Sequence, residues 1–225
     1  MKLYGALASP YVARVVMFAR IKGLELEPAG IPGDSPRSAE YLAINPIGKI
    51  PSLAVDGQCI AESEVICEYL EDAAGGRPGL PSDPLQRATS RLTGRIVDLY
   101  IATQVSTFFR QMNPANRDQQ QLDEAAAALE KGFGYLEHFM GPGPFCVADQ
   151  PTLGDCAAAP YFMLIKKTVF ANFERPADPT SGDGRLARWW QAVMGNEDCR
   201  SVVDAYGAAV DAFMQAMAAR TQGRS

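Results

Sequence analysis

Ser9 is followed by Pro10 and stands between a short apolar run, Lys2 to Leu7, and a stretch of helical spacing. Serine is a favoured N-cap, and proline suits the first helical position because its missing N–H would have been an orphan there. Ser9 is therefore expected at a strand-to-helix junction, its hydroxyl beside the free amides of a helix N-terminus. Such a place attracts anions, thiolates included. Taken alone, Ser9-Pro10 reads first as a plain helix cap. Two further places put polar groups at element ends. Glu62-Ser63 precedes a helical stretch, where free amides suit a carboxylate. Lys49-Ile50-Pro51 enters a strand, with Lys49 a point charge and Pro51 at the strand's first residue.

Other chemistries find little support. His138 is the single histidine and lies inside a helical pattern, so no histidine-rich metal site is available, and no placed partner is visible for general-base work. The five cysteines (Cys59, Cys67, Cys146, Cys156 and Cys199) are odd in number, scattered and without a C-x-x-C. They read as small buried apolar residues in a reducing cytosol, with no disulfide frame, no zinc and no other metal. A net charge of −5 argues against nucleic acid or an anionic membrane as partner. No apolar run approaches the roughly 20 residues that span a bilayer. Tyr4, Pro10 and Arg14 interrupt any signal-peptide core.

The elements that must position these residues fall into two sets. Lys2 to Leu7 reads as a strand, and Val12 to Lys22 as a helix stopped by Gly23. Leu24 to Ile31 reads as a strand that Pro28 confines to a sheet edge. Ser38 to Ile44 is a loop or short helix. Pro51 to Val55 and Gln58 to Ala61 flank Asp56-Gly57, a hairpin signal. Ser63 to Ala74 is a helix with Val65, Ile66, Tyr69 and Leu70 facing inward. The order β-α-β-(α)-β-β-α implies a parallel first pair, an antiparallel hairpin and a small mixed sheet with helices packed on it.

Residues 78–83 form the clearest boundary, separating a domain of residues 1–77 from an all-helical domain of residues 84–220. Asp83-Pro84 starts a helix whose stripe is Leu85, Ala88, Leu92, Ile96, Leu99 and Thr103. Leu122, Ala126, Leu129, Phe133, Leu136 and Met140 form a second stripe. Thr152 to Asp155 has capping-box spacing. Leu186, Trp189, Trp190 and Val193 mark a fourth helix, and Val202, Val203, Tyr206, Val210 and Phe213 a fifth. Residues 221–225 are expected to fray. The fold class is α/β plus all-α.

Several stretches in this order and spacing resemble the cytosolic glutathione transferase family over essentially the whole chain. They are Ser9-Pro10-Tyr11-Val12-Ala13-Arg14, the run from Asn45 to Leu53, Asp56-Gly57 in the hairpin and Glu62-Ser63. Ala148 to Asp155 and Arg185-Leu186-Ala187-Arg188-Trp189-Trp190 complete the set. The Ser-Pro-Tyr-Val-x-Arg wording is closest to the plant tau-type subgroup. The resemblance implies a thioredoxin-like N-terminal domain and a C-terminal helical bundle, with glutathione as co-substrate. It implies a cis Pro51 that exposes the backbone of Ile50 to the cysteinyl backbone of glutathione, as an added strand would. Glu62 would take the γ-glutamyl ammonium, the Ser63 hydroxyl and N–H its carboxylate, and Lys49 the glycyl carboxylate. Ser9 would stabilise the thiolate. Arg14, one helical turn beyond Ser9, reads as a structural charge. The absence of cysteine before Cys59 disfavours disulfide-exchange chemistry.

The implied activity is conjugation of glutathione to small hydrophobic electrophiles, a detoxifying role in the cytoplasm. Glutathione-dependent isomerisation or ether cleavage at the same site is the alternative, and a non-catalytic binding module on the same fold is the rival of a different class. The second substrate is expected between the domains, with Tyr11, Phe108-Phe109-Arg110-Met112 and Phe162 to Ile165 as candidates. A homodimer across the first domain of one subunit and the long helices of the other completes what the resemblance implies.

Overall fold

The computed structural model describes residues 1–222. It divides into two compact units. The first contains residues 1–79 together with the chain from Asp198, and the second spans Leu80–Glu197.

The first unit is built on four strands: β1 (Lys2–Tyr4), β2 (Glu27–Ala29), β3 (Ser52–Val55) and β4 (Gln58–Ala61). Their order is β2-β1-β3-β4, with β1–β2 parallel and the other two pairs antiparallel. Pro28 sits on β2, which is an edge strand, where a missing N–H leaves no ladder bond unmade. Helix α1 (Pro10–Lys22) supplies the crossover between β1 and β2. It ends at Gly23, whose left-handed φ of 73° lets its N–H close on the Ala19 and Arg20 carbonyls. The short α2 (Ala39–Leu42) is capped by the Ser38 side chain, which accepts from the Tyr41 N–H. Helix α3 (Ser63–Ala73) packs on α1, and Val15, Phe18, Ile66 and Leu70 are fully buried. Each such side chain contributes about 1.5–3 kcal/mol by leaving water. Val65 does not join them: it is half exposed, and the inward face of α3 is Ser63, Ile66, Cys67 and Leu70.

Helix α9 (Glu197–Gln222) belongs with this sheet. Arg77 ties its start, donating to Asp198 at 2.7 Å and to the Arg20 carbonyl. A cleft of about 480 Å³ lies between α9 and the strand-helix layer, lined by apolar residues that include Leu3, Val12, Val16, Leu26, Val202 and Ala205. Val203, Tyr206 and Val210 are buried, whereas Phe213, expected inward, is half exposed. The expectation of fraying reaches residues 223–225, which lie outside the described residues.

The second unit is helical: α4 (Pro84–Ile96), α5 (Ala102–Arg110), α6 (Gln119–Phe139), α7 (Leu153–Ile165) and α8 (Arg185–Gly195). Asp83 caps α4 by accepting from the Gln86 N–H at 2.8 Å. The α6 stripe from Leu122 to Met140 is buried as expected. The α4 stripe is not. Leu85, Ala88 and Leu92 face outward, as does Leu99 in the π-helical turn Val97–Ile101 beyond it, and the buried face carries Ser90, Thr93, Gly94 and Ile96. The reason is the close approach of α4 and α7. A Cβ on Gly154 would stand 2.9 Å from the Ser90 carbonyl, and Ser90 Oγ accepts from the Gly154 N–H at 3.0 Å. Small residues are what that contact admits. The capping-box spacing of Thr152 and Asp155 is realised. Asp155 Oδ2 accepts from the Thr152 N–H and hydroxyl at 2.8 and 2.9 Å.

Candidate functional site

The sheet topology brings the three sequence-predicted places to one end. The antiparallel register pairs Tyr4 with Ser52 and Ser52 with Ala61. The C-terminal end of β1, the N-terminal end of β3 and the C-terminal end of β4 therefore lie side by side. Beyond them come the Gly5–Ser9 turn, Lys49-Ile50-Pro51 and Glu62-Ser63. The N-termini of α1 and α3 start at this same end, so two helices present their free amides and partial positive charge there.

The turn after β1 needs Gly5. Its φ is 154°, and a Cβ there would stand 2.6 Å from Val12 Cγ2 and 3.5 Å from Ile50 Cβ. Gly5 is thus the point where the turn, α1 and the approach to β3 meet. Ser9 follows, half-buried, in extended conformation, as the N-cap of α1. Its carbonyl accepts the first helical bond, from Ala13 at 3.0 Å. Its side chain makes no capping bond. The hydroxyl is left at the helix mouth with no hydrogen bond among the described residues.

The approach to β3 is cinched by a buried polar cluster. The Tyr41 hydroxyl donates to the Lys49 carbonyl at 2.7 Å and pairs with Ser52 Oγ at 2.8 Å. Asn45 Nδ2 donates to the same two oxygens at 2.9 and 2.8 Å, and Asn45 Oδ1 accepts from the Ile47 N–H. These bonds hold the Lys49 backbone while its side chain remains exposed. The Ile50–Pro51 peptide is cis. Ile50 lies outside β3 and takes part in no strand pairing among the described residues.

Glu62 is exposed and adopts φ 66°, ψ 120°, a conformation that L side chains avoid. It carries the chain from β4 into α3 and leaves Ser63 buried at the first helical position. Arg14 Nη1 donates to Ser63 Oγ at 3.2 Å. Arg14 is itself buried, at 1 % exposure, and its guanidinium stands 5.4 Å from the Tyr11 ring centroid. One turn along α3, burial pushes the Cys67 thiol far up, against the pull of the Arg14 charge. Burial and the neighbouring Asp155 do the same at Cys146 in the second unit. These thiols are inert at neutral pH. Cys59, on β4, departs from the expectation of burial and is exposed.

All six expected site residues, Ser9, Lys49, Ile50, Pro51, Glu62 and Ser63, thus gather at one end of one sheet. The supporting Tyr41, Asn45 and Ser52 carry no sequence signal for those parts, although Asn45-Pro46 marks the loop; Arg14, read as a structural charge, is buried against Ser63, a partner its spacing does not announce. Among the candidates for a hydrophobic site, Phe108 and Phe162 are core residues. Phe108 meets Phe173 edge-on, and Phe162 stands between Phe133 and Trp189. Among the described residues no group of three His, Cys, Asp or Glu is placed to hold a metal.

Two family models match the chain. One describes a glutathione S-transferase N-terminal domain and covers residues 3–78. The other describes a glutathione S-transferase C-terminal domain and covers residues 119–192. A probable glutathione S-transferase of Nicotiana tabacum is 30% identical over 184 residues, which is 79% of this chain and 82% of the relative. A maleylacetoacetate isomerase of Pseudomonas aeruginosa is 30% identical over 167 residues, covering 71% and 79%. Among solved structures, glutathione transferase Omega 3C of Trametes versicolor superposes with TM-score 0.74 at 25% identity, covering 100% of this chain and 92% of that one. Glutathione transferase F2 of Populus trichocarpa shares the fold at TM-score 0.74 and 22% identity, covering 92% and 99%.

Proposed function

Because the chain belongs to the glutathione S-transferase family, we propose that this end of the first unit's sheet binds glutathione and that Ser9 is the catalytic residue. The observation that carries the assignment is the Ser9 hydroxyl, placed at the mouth of α1 and not engaged in capping it. The Ile50 backbone, outside any strand pairing, receives the cysteinyl backbone of glutathione as an added strand. Ser63 and the amides of α3 receive the γ-glutamyl carboxylate, Glu62 its ammonium, and exposed Lys49 the glycyl carboxylate.

The enzyme is a glutathione transferase. A free thiol is mostly protonated at neutral pH, and the thiolate is the nucleophile. A hydroxyl donor and a helix N-terminus both favour the anion and lower the thiol pKa. The thiolate then attacks the electrophilic carbon of the second substrate. A C–S bond forms, and a leaving group departs with its electron pair. The chain's contribution is positioning and electrostatic stabilisation, with no covalent enzyme intermediate. Small hydrophobic electrophiles are the second substrates in this reading, and their detoxification in the cytoplasm is the role. The free cysteines accord with a reducing compartment.

The names of two relatives favour a second reading, glutathione-dependent isomerisation, in which the thiolate adds to a substrate and later leaves. The same Ser9 would serve it. The outward leucines of α4 support a homodimer. Leu85 and Leu92 stand two turns apart on α4, and both are exposed, as is Leu99 in the π-helical turn Val97–Ile101 that follows.

Titration calorimetry with glutathione tests the whole assignment, because no heat at millimolar glutathione would remove it. A parallel screen of aryl halides against maleyl-type isomerisation substrates separates the two chemistries.

A further inference from the structure

A second cleft, of about 530 Å³, lies wholly within the helical unit, and none of its walls belongs to the sheet end described above. Its volume falls in the range of small-molecule sites. The floor is apolar. Phe108 of α5 and Leu122 of α6 are buried, and Phe173 meets Phe108 edge-on at 5.0 Å. The π-helical turn Lys166–Phe170, which follows α7, sets Phe173 in place. The Asn172 and Phe173 N–H groups both donate to the Val169 carbonyl, and Asn172 Nδ2 donates to the Thr168 carbonyl at 2.8 Å.

Arg117 stands over this floor, its guanidinium 4.5 Å from the Phe173 ring centroid. Nε donates to the Gln111 carbonyl at 3.2 Å and Nη2 to the Asn172 carbonyl at 3.3 Å. The two carbonyls hold the guanidinium but carry no full charge. Among the described residues Arg117 pairs with no carboxylate, and its Nη1 makes no hydrogen bond. The other arginine of the cleft differs. Arg175 Nη2 donates to both oxygens of Glu130 at 3.1 Å, so its charge is matched. Asp123 and Glu174 complete the charged part of the wall. A purely structural Arg117, tying two chain segments through their carbonyls, explains Nε and Nη2. It gives no account of an apolar cleft beside an unpaired cation.

We propose that this cleft binds a small aromatic carboxylate. The ring rests on Phe108, Leu122 and Phe173, and the carboxylate accepts a charge-assisted bond from the Arg117 guanidinium. Asp123 and Glu174 set the limit on ligand charge. Arg117 offsets one negative charge, whereas a dianion such as a phosphate monoester meets two carboxylates with a single unpaired cation against them. A neutral aromatic amide keeps the apolar contact and loses the ion pair. The cleft shares no residue with the glutathione site proposed above and binds its ligand whether or not that assignment holds.

The test titrates the full chain with 1-naphthoate, 1-naphthamide and 1-naphthyl phosphate, reading each affinity by calorimetry. The wild type is expected to bind the carboxylate roughly tenfold more tightly than the amide, the worth of one hydrogen bond to a charged group. The phosphate should bind more weakly than the carboxylate. Arg117→Gln should weaken the carboxylate to the level of the amide while moving the amide by less than about twofold. Arg117→Lys keeps the charge without the planar fork and should fall between. Arg188→Gln, which removes an exposed arginine of α8 outside the cleft, should leave all three within about twofold. Saturating glutathione should leave the carboxylate affinity unchanged. Displacement by glutathione would place the probe in the first unit's site and overturn the proposal. So would no binding of the carboxylate, equal binding of carboxylate and amide, or tighter binding of the phosphate. An Arg117→Gln protein that melts earlier yet binds the carboxylate as the wild type does would leave Arg117 a structural tie only, again overturning it. The wild-type protein gives a reading that needs no folded variant. Naphthoate ring protons should show nuclear Overhauser contacts to the Leu122 methyl groups, and bound probe without such contacts would sink the assignment.

Discussion

The indole N–H of Trp189 donates to Asp155 Oδ1 at 2.8 Å, deep in the second unit. The same oxygen accepts from the Cys146 N–H at 2.9 Å, and the other oxygen accepts the two Thr152 bonds. One fully buried carboxylate thus joins the 146 loop, the start of α7 and α8. Asp155→Ala would strand several buried donors, each costing about 1–3 kcal/mol. A loss of at least about 3 kcal/mol is expected, read as a lowered urea midpoint for the second unit.

Ser9→Ala should act on the substrate thiol. Removing a hydroxyl donor from the thiolate raises the pKa of enzyme-bound glutathione, and one pKa unit corresponds to about 1.4 kcal/mol. The ultraviolet titration of bound thiolate should move up by about a unit or more, and kcat/KM at neutral pH should fall about tenfold or further. The pH–rate profile should shift toward alkaline pH by the same amount. An unchanged titration would return Ser9 to the role of a cap.

The outward leucines of α4 give a test of assembly. Leu85 is 75% exposed and Leu92 37%. Replacing Leu85 and Leu92 by Glu places two charges on that face while touching nothing in the core. In the homodimer proposed above, dissociation should increase by about a hundredfold or more, as loss of central interface anchors does. Sedimentation velocity measures it. An unshifted distribution would move the interface elsewhere.

A pH dependence follows from Asp178 in the second unit. Burial tends to raise its pKa. The hydrogen bonds from Lys166, at 2.6 Å, and from Thr180 outweigh that and bring it below its ordinary 3.8. A carboxylate whose folded pKa is depressed stabilises the fold above its unfolded value, and that contribution is lost as pH falls through the folded one. The wild type should therefore exceed Asp178→Asn in stability at neutral pH. The gap should close below the ordinary carboxylate range. The pair is partly exposed, so the difference should be about 1 kcal/mol or less. Thermal melts of both proteins across the acid range measure it.

Local signals carried much of the architecture. Ser9-Pro10 and Gly23 bounded α1, Asp56-Gly57 turned the β3–β4 hairpin, and Thr152 with Asp155 opened α7. Each acts within a few residues, which is why each is readable. The misreading of α4 has a physical cause. Leucine periodicity says that a face avoids water but not what covers it, whereas a face of Ser90, Thr93 and Gly94 gives no apolar signal and is still buried. Arg14 illustrates the same limit. Its bond to Ser63 spans 49 residues of sequence, and no spacing rule announces a contact made only when two helices meet. The Tyr41–Asn45–Ser52 cluster is legible only once β3 is in place.

The assignment of α9 to the first unit has a consequence for synthesis. The residues that gather at the sheet's end are all made before the helical unit, yet the helix covering Leu3, Val12 and Leu26 is made only after it. A nascent chain must carry that apolar surface uncovered while the whole helical unit is being made. The first unit is completed only after the second has been made, and the interval is an opening for chaperones.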